Sequence, residues 1–508
     1  MQINIHEYND KVQACWRGKN IGGTLGKPFE WVRKINDVTF YTEDLNEGPK
    51  PSTDIDIQLL WLRALEDHGV HIGTPVLSEY FLSYLSAYIG EYGPTKASMR
   101  AGLMPPLCSM SSGYRDSTSA FTRSEIWACI APGCPEIAAR NAYQDAIIDH
   151  GNGEGLYAAM FMAVVQSAAF IEPDMYKLID IGLSYIPLGC GVYDAVECAI
   201  ECYRMGLSWL EARDRVLEEH RGHYATWDGA GISERDWEKE LANGAHGYDA
   251  PSNIGMIMIG WLYGEGDFAR SICKAVNCGE DTDSNAATLG ALLGIIGGKQ
   301  IIPKEWTKPI GDRITTHIID TYDVKRIPTS IKELAARVER LAKIIMLTYR
   351  TDVNLSETEP TSVSKKELKK LANVPMGEKI LRNPRGPIYE SNIITCAIDY
   401  KNGAYIRPGG TTRVIIKVSC KLKHELVLNV KWYKPDDFTI KPTASGLIRC
   451  PAAGVESSPY MFEIIADGPV ALVNRFVIEI TSPGRHTVAL VPVVLLDGGL
   501  MSLTNLAL

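Results

Sequence analysis

An all-α region followed by an antiparallel β-sandwich is the fold this sequence predicts, on three observations. From residue 10 to about 350, apolar positions recur at intervals of three and four, as in Ile57-Gln58-Leu59-Leu60-Trp61-Leu62-Arg63-Ala64-Leu65 and in Leu156 to Val164; this is the period of helices with a buried face. From Asn354 to Ser364 the chain is polar, aperiodic and broken by Pro360, as connecting segments are. From about 390 the period falls to two. Val414, Ile416, Val418 and Cys420 alternate with polar neighbours, as do Leu426, Leu428, Val430 and Trp432, and again Phe476, Ile478 and Ile480, the pattern of half-buried strands.

The first domain, residues 1–350, is expected to be a compact helical bundle, because alanine and glycine are frequent inside its periodic segments and small side chains let helix axes approach closely. No fixed-period repeat points to a solenoid. Residues 351–388 read as a linker with one short helix: Ser364 followed by Glu367 has the spacing of a capping box, and Pro375 and Pro384 stand beyond it. Residues 389–508 read as an immunoglobulin-like β-sandwich, its strands separated by turn clusters such as Lys434-Pro435-Asp436-Asp437 and Ser482-Pro483-Gly484. Three roles stay open for it: sugar binding, capping of the helical domain, or an oligomer contact.

Composition narrows the function classes. A chain of 508 residues suggests about two to four domains, and 45% hydrophobic with 22% charged residues is ordinary soluble composition. The net charge is −9, and Lys365-Lys366-Glu367-Leu368-Lys369-Lys370 is the clearest basic run, which argues against a nucleic-acid partner. The first ten residues lack the apolar run of a signal peptide. The apolar stretches Ile254–Leu262 and Leu289–Gly297 fall short of the ~18 residues a membrane span needs, so a cytoplasmic protein with no membrane partner is expected. The twelve cysteines are scattered singly; they show no paired metal spacing and read as buried thiols. The sequence leaves the oligomeric state unspecified.

The strongest chemical signal is Gly279-Glu280-Asp281-Thr282-Asp283-Ser284-Asn285, which runs into a segment with glycines at 290, 294 and 297. Two aspartates and two hydroxyls within four positions, with no Cys or His among them, suit a hard divalent cation such as Mg²⁺ or Mn²⁺. Asp283 and Ser284 are good N-cap residues, so a helix is expected to start at them, with the glycines giving it a smooth face.

The run from Asn277 to Gly294 resembles the C-terminal metal motif of the ADP-ribosylglycohydrolase family. Two N-terminal motifs of that family have counterparts in the same order: a glycine-rich turn closed by a glutamate, Gly18-Lys19-Asn20-Ile21-Gly22-Gly23-Thr24-Leu25-Gly26-Lys27-Pro28-Phe29-Glu30, and a Thr-Asp-Asp, here Ser52-Thr53-Asp54-Ile55-Asp56. The resemblance implies the family's all-α fold, a pair of Mg²⁺ or Mn²⁺ ions that bind sugar hydroxyls and water, and hydrolysis at the anomeric carbon of a ribose. By the same resemblance Thr53, Asp54, Asp56, Asp281, Asp283 and Ser284 are the candidate metal ligands. Glu30 and Asp283 are the candidate catalytic carboxylates, Glu30 as acid/base or as the group that orients water. His150 and Asn152, within Asp149 to Gly155, and Asn253, within His246 to Gly255, match segments that line the family's cleft; they are the candidates for substrate contacts.

One departure stands out. Ile55 occupies the place of the family's second adjacent aspartate, and Asp56 comes one residue later. If residues 53–56 are helical, side chains two apart diverge by about 200°, so Asp54 and Asp56 do not share an ion. Asp56 is then either a ligand at the other ion or the N-cap of a helix beginning at Ile57. The implied function is a metal-dependent glycohydrolase cleaving an N- or O-glycosidic bond of an ADP-ribosyl, ribosyl or related glycoside, free or protein-linked. The alternative is a non-catalytic sugar binder or structural descendant. Against that alternative, carboxylates packed together without a cation cost several kcal/mol.

Overall fold

The computed structural model describes residues 1–45, 48–110, 112–220, 232–241, 247–320, 322, 324–381 and 386–499. His246 and Pro384, named above, lie outside the described residues. The chain forms two compact units, one of residues 1–93 with 110–382, the other of residues 94–109 with 383–508.

The helical unit is organised on two helices from opposite ends of its sequence, Ile5–Gly26 and Thr282–Gly297. The first starts at Asn4, whose side chain accepts the amides of His6 and Glu7. The glycine-rich segment expected to be a turn is the C-terminal half of this helix. Gly18, Gly22 and Gly26 recur every four residues and so share one face, and that face lies backbone against backbone on the partner helix. A Cβ at Gly18 would stand 2.1 Å from the Gly290 carbonyl oxygen, one at Gly22 2.1 Å from that of Ala286, and one at Gly294 2.4 Å from that of Ala14. These glycines serve close approach, the other use of a residue without a side chain.

The second helix begins at Thr282, with Asp281 at the N-cap position and no side-chain cap bond. Asp283 and Ser284, expected as caps, fall in its first turn. The side chains are engaged elsewhere: the Asp281 carboxylate accepts a tertiary hydrogen bond from Thr118, and Asp283 Oδ1 accepts the Ser284 amide. The helix Thr53–His68 also starts earlier than read, because Ser52 Oγ accepts the Asp54 amide and takes the N-cap position proposed for Asp56. The apolar run after Asp249 forms the helix Ala250–Gly264, buried on nearly every face, as core.

Residues 351–381 cluster with the helical unit. Asn354–Ser356 pairs in parallel with Gln2–Asn4, and the capping box at Ser364 and Glu367 forms as its spacing predicts.

The second unit holds two five-stranded sheets. From edge to edge, one runs Ile388–Glu390, Ile394–Tyr400, Thr411–Cys420, Tyr460–Ala466 and Phe438–Lys441, all antiparallel. The other runs Tyr405–Ile406, Val488–Asp497, Val473–Thr481, Leu426–Tyr433 and Ser445–Cys450. Its edge pair, Tyr405–Ile406 with Val488–Asp497, is parallel, which makes this sheet mixed. The alternating residues picked out from sequence point inward: Val414, Ile416, Val418, Leu428, Val430, Trp432, Phe476, Ile478 and Ile480 are buried in one core shared by both sheets. Leu107 packs on that core, and a Cβ at Gly102 would meet Val494, so residues 94–109 belong to this unit by packing as well as by clustering.

Candidate active site

The paired helices bring the end of one motif to the start of another. Thr282 Oγ1 donates to the Gly26 carbonyl at 2.8 Å. Beyond Gly26 the chain turns through Lys27–Phe29 and pairs, at Val32, with Glu280 in an antiparallel bridge. Arg33 seals the junction: its Nε and Nη2 hold Glu280 Oε1 and Oε2 at 2.7 and 3.0 Å, both residues fully buried. A buried pair of this kind is costly to break, because either partner alone is an uncompensated charge. The loop between is tight. Gly279 has φ +80°, where a Cβ would strike the Lys34 carbonyl at 2.2 Å, and Glu280 has φ +68°, a strained value for a residue with a side chain.

Glu30, Asp281 and Asp283 thereby converge, one carboxylate oxygen from each lying within 4.8 Å of the others. Asp281 Oδ2 accepts the Thr118 hydroxyl at 2.5 Å, and its backbone amide donates to Asn253 Oδ1 at 3.0 Å. Asp281 Oδ1 is buried without a hydrogen-bond partner, as is Asp54 Oδ2. Burial, with Asp283 and Glu30 adding to it, holds the Asp281 carboxyl well above its ordinary pKa. Burial and Asp283 push Glu30 up to about 8, against the pull of Lys27. Burial likewise raises Asp54 to about 6 despite the opposing Lys19, with Asp283 contributing. Four carboxylates close enough to disturb one another form a site that favours positive charge.

Two lysines already serve it. Lys27 Nζ pairs with Glu30 and stands 3.4 Å from Asp283 Oδ2. Burial works against the Lys27 ammonium, but Asp283 and Glu30 outweigh it and raise its pKa. Lys19 Nζ is fully buried, 3.0 Å from Glu125 Oε1 and 3.9 Å from Asp54 Oδ2. Gln58 bonds the second oxygen of Glu125.

The remaining sequence candidates lie as follows. Thr53 Oγ1 is 3.4 Å from Asp54 Oδ1, and Ser284 is buried beside Asp283. Ile55 is buried. Because residues 53–56 are helical, Asp56 diverges from Asp54: its Oδ2 accepts the amides of His317 and Ile318 at 2.8 and 2.7 Å. Asn253 spends its amide on the Gly247 and Asp249 carbonyls and its oxygen on Asp281 N and Asn285. His150 is fully buried, Nδ1 2.7 Å from Asp149 and Nε2 2.9 Å from Ser117 Oγ. Ser117, His150 and Asp149 have the connectivity of a nucleophilic triad, but all three are buried and Asp149 is held on both oxygens by Arg123, so substrate has no route to the hydroxyl. Asn152 is exposed in the turn before the helix Glu154–Ala168.

Sequence reasoning passed over Lys19, Lys27, Arg33 and Thr118. Lys19 and Lys27 sit inside the quoted glycine motif, and a lysine flanked by small residues on a helix that packs this closely was the available signal. Thr118 carried none.

An uncharacterized protein of Archaeoglobus fulgidus is 24% identical over 343 residues, spanning 65% of this chain and 99% of the archaeal one. Among solved structures, a FixG-related protein from Vibrio parahaemolyticus aligns at 11% identity over 21% of this chain and 99% of its own, with a TM-score of 0.18, too low to carry an argument. The model of the ADP-ribosylglycohydrolase family matches residues 4–344, a span that contains the paired helices, Glu30, Asp54 and the 281–284 loop. On that match the chain belongs to the ADP-ribosylglycohydrolase family.

Proposed function

We propose that the protein is a divalent-cation-dependent glycohydrolase that releases ADP-ribose, or a closely related ribosyl group, from an N- or O-linked conjugate. The observation that carries this reading is the pair of buried carboxylate oxygens without hydrogen-bond partners, Asp281 Oδ1 and Asp54 Oδ2, in a cluster that raises its own pKa values. Such oxygens are costly unless a cation takes them up. Asp54, Asp281 and Asp283 would hold Mg²⁺ or Mn²⁺, with Thr53 and Ser284 beside them; when bound, the ion supplies electrophilic orientation of sugar oxygens and water.

The chain's own groups supply the rest. Hydrolysis breaks the bond from the anomeric carbon to the leaving group, forms one to water oxygen, and moves a proton from water to the leaving group through an oxocarbenium-like state. Glu30, raised to about 8, is matched to exchange that proton near neutral pH. Trp31, directly after it, meets Tyr248 edge-on at 5.8 Å, and Tyr114 meets Tyr248 at 6.3 Å, aromatic surface that suits a nucleobase. Asn253 and His150 are positioning residues in this reading, since their polar side-chain atoms bond within the protein; Asp56 is one through Oδ2, which holds the amides of His317 and Ile318, while its Oδ1 is buried without a hydrogen-bond partner.

Ile55 and Lys27 alter the expected pair of ions. Lys27 supports a site with one divalent ion and an ammonium as the second positive charge. In the full-length protein, free ADP-ribose should appear from an ADP-ribosylated peptide with Mn²⁺ and not with EDTA. Glu30→Gln should retain about one Mn²⁺ per chain and turn over 10²–10⁴-fold more slowly. Turnover indifferent to EDTA would remove the reading. A second reading, a non-catalytic sugar binder, is favoured by Lys27 alone: if its ammonium already neutralises Glu30 and Asp283, elemental analysis should find neither magnesium nor manganese and no substrate should turn over.

Cation dependence should also show in stability. The raised carboxyls of Glu30 and Asp54 favour the fold while protonated, so their contribution is full below about pH 4 and is lost as pH rises through about 6 and 8. The metal-free protein should therefore melt lower at about pH 8 than at about pH 5. Mn²⁺, which binds the ionised forms, should raise the melting temperature more at the higher pH. A Mn²⁺ shift independent of pH would mean the ion binds elsewhere. No helix among the described residues is long and apolar enough to cross a membrane, and we place the activity in the cytoplasm, where a chain with eleven buried thiols and one half-buried is compatible with the reducing poise.

A further inference from the structure

A second set of metal-ligand types lies away from the acidic site, in the antiparallel pair formed by the helices Gly191–Arg204 and Trp209–His220. Cys198 Sγ, a carboxylate oxygen of Glu219 and a ring nitrogen of His220 all lie within 4.8 Å of one another. Cys202, one turn beyond Cys198 on the same face, is buried and meets it thiol to thiol.

We propose that Cys198, Cys202, Glu219 and His220 form a zinc site that fastens the end of the second helix to the middle of the first. The donor set has the softness and mixed S, N, O character that zinc takes and that Mg²⁺ and Mn²⁺ do not favour. Two cysteines four apart on a helix project to one side, and a four-residue step falls in the range of zinc-binding cysteine spacings. Tetrahedral zinc needs its donors about 3–4 Å apart; Cys198, Glu219 and His220 already lie within 4.8 Å of one another, and Cys202 joins them through its contact with Cys198.

The ion would sit at the C-terminal end of the helix Trp209–His220, where the helix dipole favours positive charge. Glu219 Oε1 is held by Arg215 Nε at 2.9 Å, which leaves Oε2, 3.6 Å from His220 Nε2, facing the other donors. Arg215 Nη1 also lies 4.0 Å from Cys202 Sγ. Two thiolates and a carboxylate on Zn²⁺ leave a net charge of −1, which this guanidinium balances. Burial lowers the pKa of His220, the direction that favours the neutral, ligand-competent ring. Binding would release the two thiol protons to solvent.

Full-length protein stripped with a chelator and titrated with Co²⁺ should develop thiolate-to-cobalt charge-transfer absorption that saturates at one equivalent of the thiolate-bound ion and is displaced by Zn²⁺. Cys198→Ser with Cys202→Ser should abolish that band, and His220→Ala should weaken affinity at least about tenfold. Asp281→Asn should leave the band unchanged, which separates this site from the acidic one. A wild type without thiolate charge transfer, or a band that survives loss of both cysteines, overturns the proposal. If the serine variants do not fold, X-ray absorption of the zinc-loaded wild type decides it: sulfur at about 2.3 Å supports the site, and a shell of oxygen and nitrogen alone overturns it.

Discussion

Asp281→Asn is expected to lose hydrolytic activity by about 10³-fold or more while the metal-free protein becomes more stable. The two effects have one cause. Asp281 is buried, one of its oxygens has no hydrogen-bond partner, and its carboxyl is raised by burial together with Asp283 and Glu30, so its charge is a liability to the fold in the absence of a cation. Asparagine can keep the acceptor that Thr118 uses while removing that charge. With the charge goes the cation, which contributes several kcal/mol to the transition state, and each 1.36 kcal/mol is tenfold in rate. Activity and melting temperature should therefore move in opposite directions, and the Mn²⁺-induced melting shift should disappear. A variant that is inactive and also less stable would show that Asp281 holds the loop and does not serve the ion.

The largest structural effect is expected from Gly22→Ala. The new methyl would meet the Ala286 carbonyl oxygen at 2.1 Å and its carbon at 2.2 Å. Both are backbone atoms of a helix packed on its other sides, so the two helices have to part. Overpacking of side chains costs about 1–3 kcal/mol, and a clash between two backbones should exceed about 3. Gly23 is the control. A Cβ there stands 3.7 Å from Ala287 Cβ, an ordinary contact, and alanine gains up to about 1 kcal/mol of helix propensity over glycine. Gly23→Ala should be neutral or stabilising in urea melts, one residue from a substitution that ruins the fold. Equal losses at both positions would mean that the helix pair is looser than described.

Much of this was legible in the sequence, for reasons that differ by residue. Alternation carried the strands because one face of each sheet is core, so Val414 and its partners are fixed by burial alone. The glycines of the first motif were visible but read as a turn: turns and close helix pairs use glycine equally, and the partner face at Ala286 and Gly290 is over 260 residues away. The helical start at Thr53 decided against Asp56 as an N-cap, and only tertiary contact with residues 317 and 318 shows what holds its carboxylate. Lys27 escaped notice because a lysine is no metal ligand; its significance lies in competing with one. Cys198 and Cys202 were passed over among twelve scattered thiols because Glu219 and His220 stand on another helix.

The union of Ile5–Gly26 with Thr282–Gly297 bears on how the protein comes into being on the ribosome. At translation rates of about 5–20 residues per second, the first helix waits roughly ten seconds to a minute for the segment it packs against. Asn354–Ser356, which pairs with Gln2–Asn4, arrives later still. The earliest segment synthesised is thus among the last to be completed, and a nascent chain arrested before residue 281 has Glu30 and Asp54 but cannot yet assemble the cation site.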